Sequence, residues 1–189
     1  MSEQDETKNN TALTLAAIGL AAGSLLAPRR KVGDKIRIPK SAAADTRTAD
    51  HEVTKEELHA SSWQHIHDVQ DALTFICNEL QTRGIRHDIT KITHLDEFYE
   101  QFHRAQQTGE WGKGWFDQIH VVQERHHLKD HCPEDVNLFD VLEMLCDCVM
   151  AGLARSGKYR EEEPSPDILV KAYKNTVKML LNATEVVDE

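Results

Sequence analysis

TKEELHASSWQHIHDVQDALTFICNELQTRG, residues 54–84, has the pattern of one long helix. Thr54 and Glu57, three positions apart, form a capping box in which each side chain satisfies the other's free backbone N–H. Ile66, Val69, Leu73, Ile76 and Leu80 then recur at helical spacing and make one apolar stripe. His65 lies at the edge of that stripe, one turn before Val69, and is expected to face inward, while His67 points to the opposite side. Gly84 is expected to stop the helix at about Arg83.

Downstream the helical period continues. A second helix is expected from near His87 through Phe98 and Phe102 to about Gln107, broken by TGEWGKG at 108–114. A third is expected from Trp115 to about Lys129, and Pro133 separates it from a fourth, near Asp135 to Arg155. In EEEPSPD, residues 161–167, Ser165 is placed as N-cap and Pro166 as first residue of a last helix. No strand-like alternation of any length is visible, so the fold class is all-α.

Upstream of Thr54 the character changes. Residues 1–50 read as an N-terminal arm and 51–189 as the helical domain. The arm opens acidic and polar, passes through the uncharged TALTLAAIGLAAGSLLA (11–27) and then the basic PRRKVGDKIRIPK (28–40). Positive charge follows the apolar run instead of preceding it, which argues against a secretory signal. At 17 residues the run meets the lower limit for a spanning helix, and its Ala and Gly content makes it weakly apolar. The protein is expected to be cytoplasmic. Residues 11–40 are read either as a membrane anchor or as a segment that packs on a protein partner, a virion included. Were residues 11–27 to insert, Arg29-Arg30-Lys31 would keep the domain on the cytoplasmic side. Residues 40–50, KSAAADTRTAD, read as a linker.

A formal net charge of −10 argues against general nucleic-acid binding, while leaving room for a phosphorylated small molecule held by a metal ion. The four cysteines form no CxxC pair, and Cys146 and Cys148 sit in an apolar helical stretch, which suits free thiols. All 11 histidines fall between His51 and His131, a concentration that suits a metal site. His51, His59, His103 and His131 are read as solvated surface.

In the expected third helix Trp115, Ile119 and Val122 make the core stripe, which His126 continues, and His120 and His127 share the neighbouring face. In the fourth, Leu138, Val141, Leu142, Leu145 and Val149 form the apolar arc, with Asp140, Glu143 and Asp147 on the other. Taken singly, each of those acids suits a wet helix face. Repeated Glu-x-x-His motifs, HExxH and paired CxxC are absent, which disfavours ferritin-like and common zinc-enzyme sites.

The order His65 in HIHDV, His87-Asp88, and Asp147 in MLCDCV resembles the HD-domain superfamily of metal-dependent phosphohydrolases. HDITK matches the HDxxK form of its phosphodiesterase branch. More closely, HDITKI, the later histidines and LFDVLEMLCD look like a family of uncharacterised bacterial and phage proteins. The resemblance covers roughly residues 59–155 and implies an HD-like helical bundle with an N-terminal extension. It implies that His65, His87, Asp88 and Asp147 ligate a divalent ion, and that His120, His126 and His127 support a second ion or orient the leaving phosphate. Whether Glu143 or His67 replaces one of these ligands is open. Mixed His and carboxylate donors suit Mn, Fe, Co, Ni or Zn. Asp88 and Lys91 are the implied catalytic pair, Lys91 countering charge on the phosphate of a nucleotide or other small phosphate ester. The alternative is a non-catalytic structural or interaction protein, membrane-associated or part of a phage particle, on the same fold.

Overall fold

The structure is a computed structural model that describes residues 35–40 and 46–188, all within one unit, Val32–Glu189. The apolar run at 11–27 and most of the basic stretch lie outside the described residues. So does the middle of the expected linker, residues 41–45.

The chain enters with a short strand, β1 (Ile36–Pro39), and a 3₁₀ turn at Thr46–Thr48. Helix α1 (Lys55–Arg86) starts as expected: Glu57 N–H donates to Thr54 Oγ1 (3.2 Å) and Thr54 N–H to Glu57 Oε2 (2.8 Å). It does not stop at Gly84. A glycine inside a helix costs about 1 kcal/mol relative to alanine but breaks no hydrogen bond, and α1 runs on to Arg86. His87 caps it, so a helix leads directly into the His-Asp pair.

The expected second helix is split into α2 (Ile89–Thr93) and α3 (Leu95–Thr108), which ends at Gly109 with φ +74°. The third departs most. A π turn (Phe116–His120) leads into one helical turn (Val121–Gln123), and residues 124–137 form no helix. Packing explains this: Leu128 and Val136 are both buried in the core with Met144, Cys148 and Ala172. The Asn175 side chain donates to the Val136 carbonyl (2.9 Å), holding the loop across the next two helices.

Helix α4 (Leu138–Ser156) is capped by Asn137, with Asp140 closing a capping box, and α5 (Pro166–Ala183) has Ser165 as cap and Pro166 first. Strand β2 (Thr184–Val187) returns to pair in parallel with β1, Ile36 opposite Thr184. Two strands of four residues are too short to show alternation, so sequence periodicity missed them. The end of the expected arm thereby joins the helical fold, with Ile36 buried.

The fold is mostly helical, with this small sheet as its only β structure among the described residues. The expected α1 stripe is not the core: Ile66, Val69 and Leu73 are exposed, and Ser61 is the buried residue of that helix. No helix among the described residues is long and apolar enough to cross a membrane.

Candidate metal centre

The junction between α1 and α2 is the backbone feature that builds the site. Asp88 adopts φ +56°, the only non-glycine residue with positive φ among those described. Asp tolerates this left-handed conformation better than most residues, yet it costs energy and recurs at functional sites. The turn aims His87 and Asp88 into the space between α4 and the loop that follows the π turn.

Two sets of donors meet there, one on each oxygen of Asp88. His87 Nε2 lies 3.6 Å from Asp88 Oδ2 and 3.7 Å from Asp147 Oδ1. His120 Nε2 and His126 Nε2 lie 3.4 and 3.6 Å from Asp88 Oδ1. His127 Nε2 faces His120 Nε2 at 2.9 Å. Asp88 with His126 and His127, and Asp88 with His87 and Asp147, have donor atoms close enough to share an ion.

Bonds of about 2.1 Å give ligand–ligand edges of roughly 3.0–3.4 Å in octahedral or tetrahedral geometry. The observed spacings lie at or close to that range. Asp88 Oδ1 is also buried with no hydrogen-bond partner. A buried carboxylate oxygen left bare among imidazole nitrogens is the observation that a cation would resolve.

Glu143 occupies a different layer. Its Oε1 lies 3.0 Å from His87 Nδ1 and 3.3 Å from His126 Nδ1, the latter without hydrogen-bond alignment. Glu143, His87 and His126 could themselves hold an ion. The 3.0 Å contact, however, is an ordinary hydrogen bond from a protonated Nδ1, which leaves Nε2 free to ligate. Arg83 steadies the other oxygen of Glu143 (3.5 Å) and pairs with Asp140. Asp140 also receives Arg125 Nε and Nη2, each at 2.9 Å. On the other side Thr90 Oγ1 meets His120 Nδ1 (2.7 Å), and Thr90 N–H donates to Glu124 (2.9 Å).

Charge follows this geometry. Burial, with Lys91 and the neighbouring histidines, pushes His120 down to about 3 against the pull of Asp88. Burial and His126 push His127 down to about 4. Burial works against His126 too, but Glu143, Asp88 and Asp147 outweigh it and raise its pKa. Asp88 and Glu143 resist burial and stay below the usual carboxylate range, Asp88 through Lys91 and its histidines, Glu143 through His126, His87 and Arg83. Neutral His120 and His127 beside ionised Asp88 are the protonation states that ligation needs.

Six of the seven expected metal ligands, His87, Asp88, His120, His126, His127 and Asp147, therefore converge. His65 does not: it is exposed on α1 and belongs to no donor group among the described residues. The first half of α1 packs toward β1 through residues such as Gln64, whose side chain donates to the Pro39 carbonyl (2.7 Å), and this turns the neighbouring position outward. His67 is exposed as well. Lys91 pairs with Asp88 and lines the adjoining cavity.

Asp140, read as wet surface, is fully buried. Its place three residues after Asn137 was the available clue, since that spacing is a capping box. Thr90, Glu124 and Arg83 were not singled out, and no local pattern marks them. The four surface histidines are exposed as expected, and all four cysteines are free.

Residues 54–184 match a family described as a family of unknown function (DUF5662), and the chain belongs to it. No curated protein and no solved structure matches.

Proposed function

We propose that this family member is a metal-dependent phosphohydrolase or phosphodiesterase acting on a nucleotide or other small phosphate ester. The observation that carries the reading is the bare, buried Oδ1 of Asp88, ringed by His120 and His126, while Oδ2 faces His87. His87, Asp88 and Asp147 would hold one ion, and Asp88, His126 and His127 could hold another, with His120 beside them. The His-Asp pair, Asp147 and Lys91 agree with the HD-like resemblance; His65 lies outside this ligand set.

Bound divalent ions supply Lewis acidity and an activated water at neutral pH. Glu143 keeps His87 in the tautomer that presents Nε2, and Thr90 orients His120. Lys91 places its ammonium at the mouth of the cluster, where it counters charge on a phosphate. The donor set of imidazoles and carboxylates fits Mn, Fe, Co, Ni or Zn.

Elemental analysis of the purified chain, followed by a metal-by-nucleotide activity panel with chelator controls, tests this. Bound metal and chelator-sensitive hydrolysis are expected; an inactive, metal-free protein after reconstitution with each of the five ions refutes it. A second reading, a non-catalytic assembly protein, is favoured by the exposed Leu145, Met150 and Leu153 of the largely apolar α4. It predicts a stable oligomer whose mass in solution changes when residues 1–34 are removed.

A further inference from the structure

We propose that the cavity beside the metal centre binds a nucleotide-sized phosphate ester carrying a second anionic group, which Arg155 holds while Lys91 and Arg160 flank the reacting phosphate. The inference rests on the phosphohydrolase reading and names its substrate class.

The cavity measures about 730 Å³. That is the size of a small-molecule site and far more than inorganic phosphate requires. Its lining changes in order along α4. Glu143 and Asp147 belong to the metal centre, Met150 and Ala151 follow as apolar wall, and Arg155 closes the far end. Leu80 of α1 lines it too. Gly84 also borders the cavity, and a Cβ there would meet nothing within 4 Å, so this side stays open.

The cations are placed separately. Lys91 stands at Asp88. Arg160 arrives from the segment after α4, its Nη1 4.0 Å from Asp147 Oδ2. That segment crosses α4 so closely that a Cβ on Gly152 would lie 2.2 Å from the Lys158 carbonyl oxygen, and Arg160 N–H donates to the Cys148 carbonyl (3.0 Å). The backbone thus fixes where Arg160 emerges. Arg155 donates to the Ala151 carbonyl (2.8 Å), and no carboxylate among the described residues pairs with it.

Arg155 stands about 12 Å of helix rise beyond Asp147, and its bond to the Ala151 carbonyl folds its side chain back toward that residue. Arg83, also at the cavity, is already engaged by Asp140, Asn137 and Glu143. In a chain of net charge −10, two cations beside the candidate metal centre and a third farther along α4, across apolar side chains, match a ligand with two anions and an apolar or aromatic body.

The test is equilibrium binding of adenosine 3′,5′-bisphosphate and of AMP to the full chain after chelator treatment, which prevents turnover. The bisphosphate is expected to bind about tenfold more tightly, the gain of one charge-assisted contact. Arg155→Ala should remove that preference while leaving AMP binding unchanged, Arg155→Lys should keep part of it, and Arg160→Ala should weaken both ligands alike. Equal affinities in the wild type, absence of binding, or a preference that survives Arg155→Ala with native circular dichroism overturns the proposal. A preference for the bisphosphate in a protein without metal-dependent hydrolysis would instead sink the phosphohydrolase reading and leave the two-anion site standing.

Discussion

Asp88 concentrates the chemistry of this chain in one residue: a left-handed backbone, one oxygen bare among imidazoles and the other paired with Lys91. Asparagine tolerates the same backbone conformation and keeps the shape, but it loses the charge and one acceptor. Asp88→Asn is therefore expected to abolish metal retention and lower activity at least a hundredfold, with a thermal midpoint within a few degrees of wild type. Full metal stoichiometry in the variant, measured by elemental analysis, would remove Asp88 from the centre. Glu143→Gln separates orienting from ligating. If Glu143 only fixes the tautomer of His87 and its contact with His126, metal affinity should fall about 10- to 100-fold with stoichiometry intact at saturating metal. Loss of one whole equivalent at saturation would instead make Glu143 a ligand.

At the scale of elements, Gly152 sits where α4 is crossed by residues 158–160, with the Lys158 carbonyl oxygen 2.2 Å and the Tyr159 Cα 2.9 Å from where a Cβ would stand. Backbone cannot swing away as a side-chain tip can, so Gly152→Ala should cost about 1–3 kcal/mol. It should also displace Arg160 from Asp147. Chemical denaturation checks the first effect, and a change below about 0.5 kcal/mol would show that the crossing is loose.

Features with local causes were readable from sequence. The caps at Thr54 and Ser165 each depend on residues three positions apart, and both form as expected. What depends on distant partners was not readable. β1 finds β2 only after the whole helical unit lies between them. His126 and His127 were placed on a helix because Trp115, Ile119 and Val122 keep helical spacing, yet the burial of Leu128 and Val136 draws the following chain into a loop. The stripe that points His65 inward is exposed at Ile66, Val69 and Leu73, the part of α1 that carries His65, so its expected orientation follows a core that lies elsewhere. Residue type and clustering single out His87, His120, His126 and His127, which the fold brings together, and His65, which it does not; the loop that carries His126 and His127 has no such local signal.

Across the whole molecule, the candidate metal centre is also a store of pH sensitivity. His120 and His127 have folded-state pKa values of about 3 and about 4, below the ordinary 6.5, chiefly because burial disfavours their charged forms. Between about pH 6.5 and 4 the unfolded chain takes up protons at these two sites that the folded chain refuses, so stability falls as the solution is acidified. Each contributes a slope of at most about 1.4 kcal/mol per pH unit. His126 works in the other direction, because its raised folded value makes its contribution complete at low pH and lost as pH rises through it. Its influence therefore lies on the alkaline side of the window. Asp88 and Glu143, held below the carboxylate range, add stability above that range that disappears at still lower pH. Metal-free protein should thus lose thermal stability steeply from pH 6.5 to 4. Saturating metal should raise the whole profile over that interval, since an ion bound to the neutral imidazoles stabilises the folded chain while the unfolded chain goes on taking up protons. His120→Gln with His127→Gln should flatten the metal-free profile over the same interval. Thermal melts of chelator-treated and metal-saturated protein at half-unit pH steps read both effects. A wild-type profile that is flat from 6.5 to 4, or one that metal leaves in place, would show that these histidines are neither held neutral by burial nor joined to a metal site.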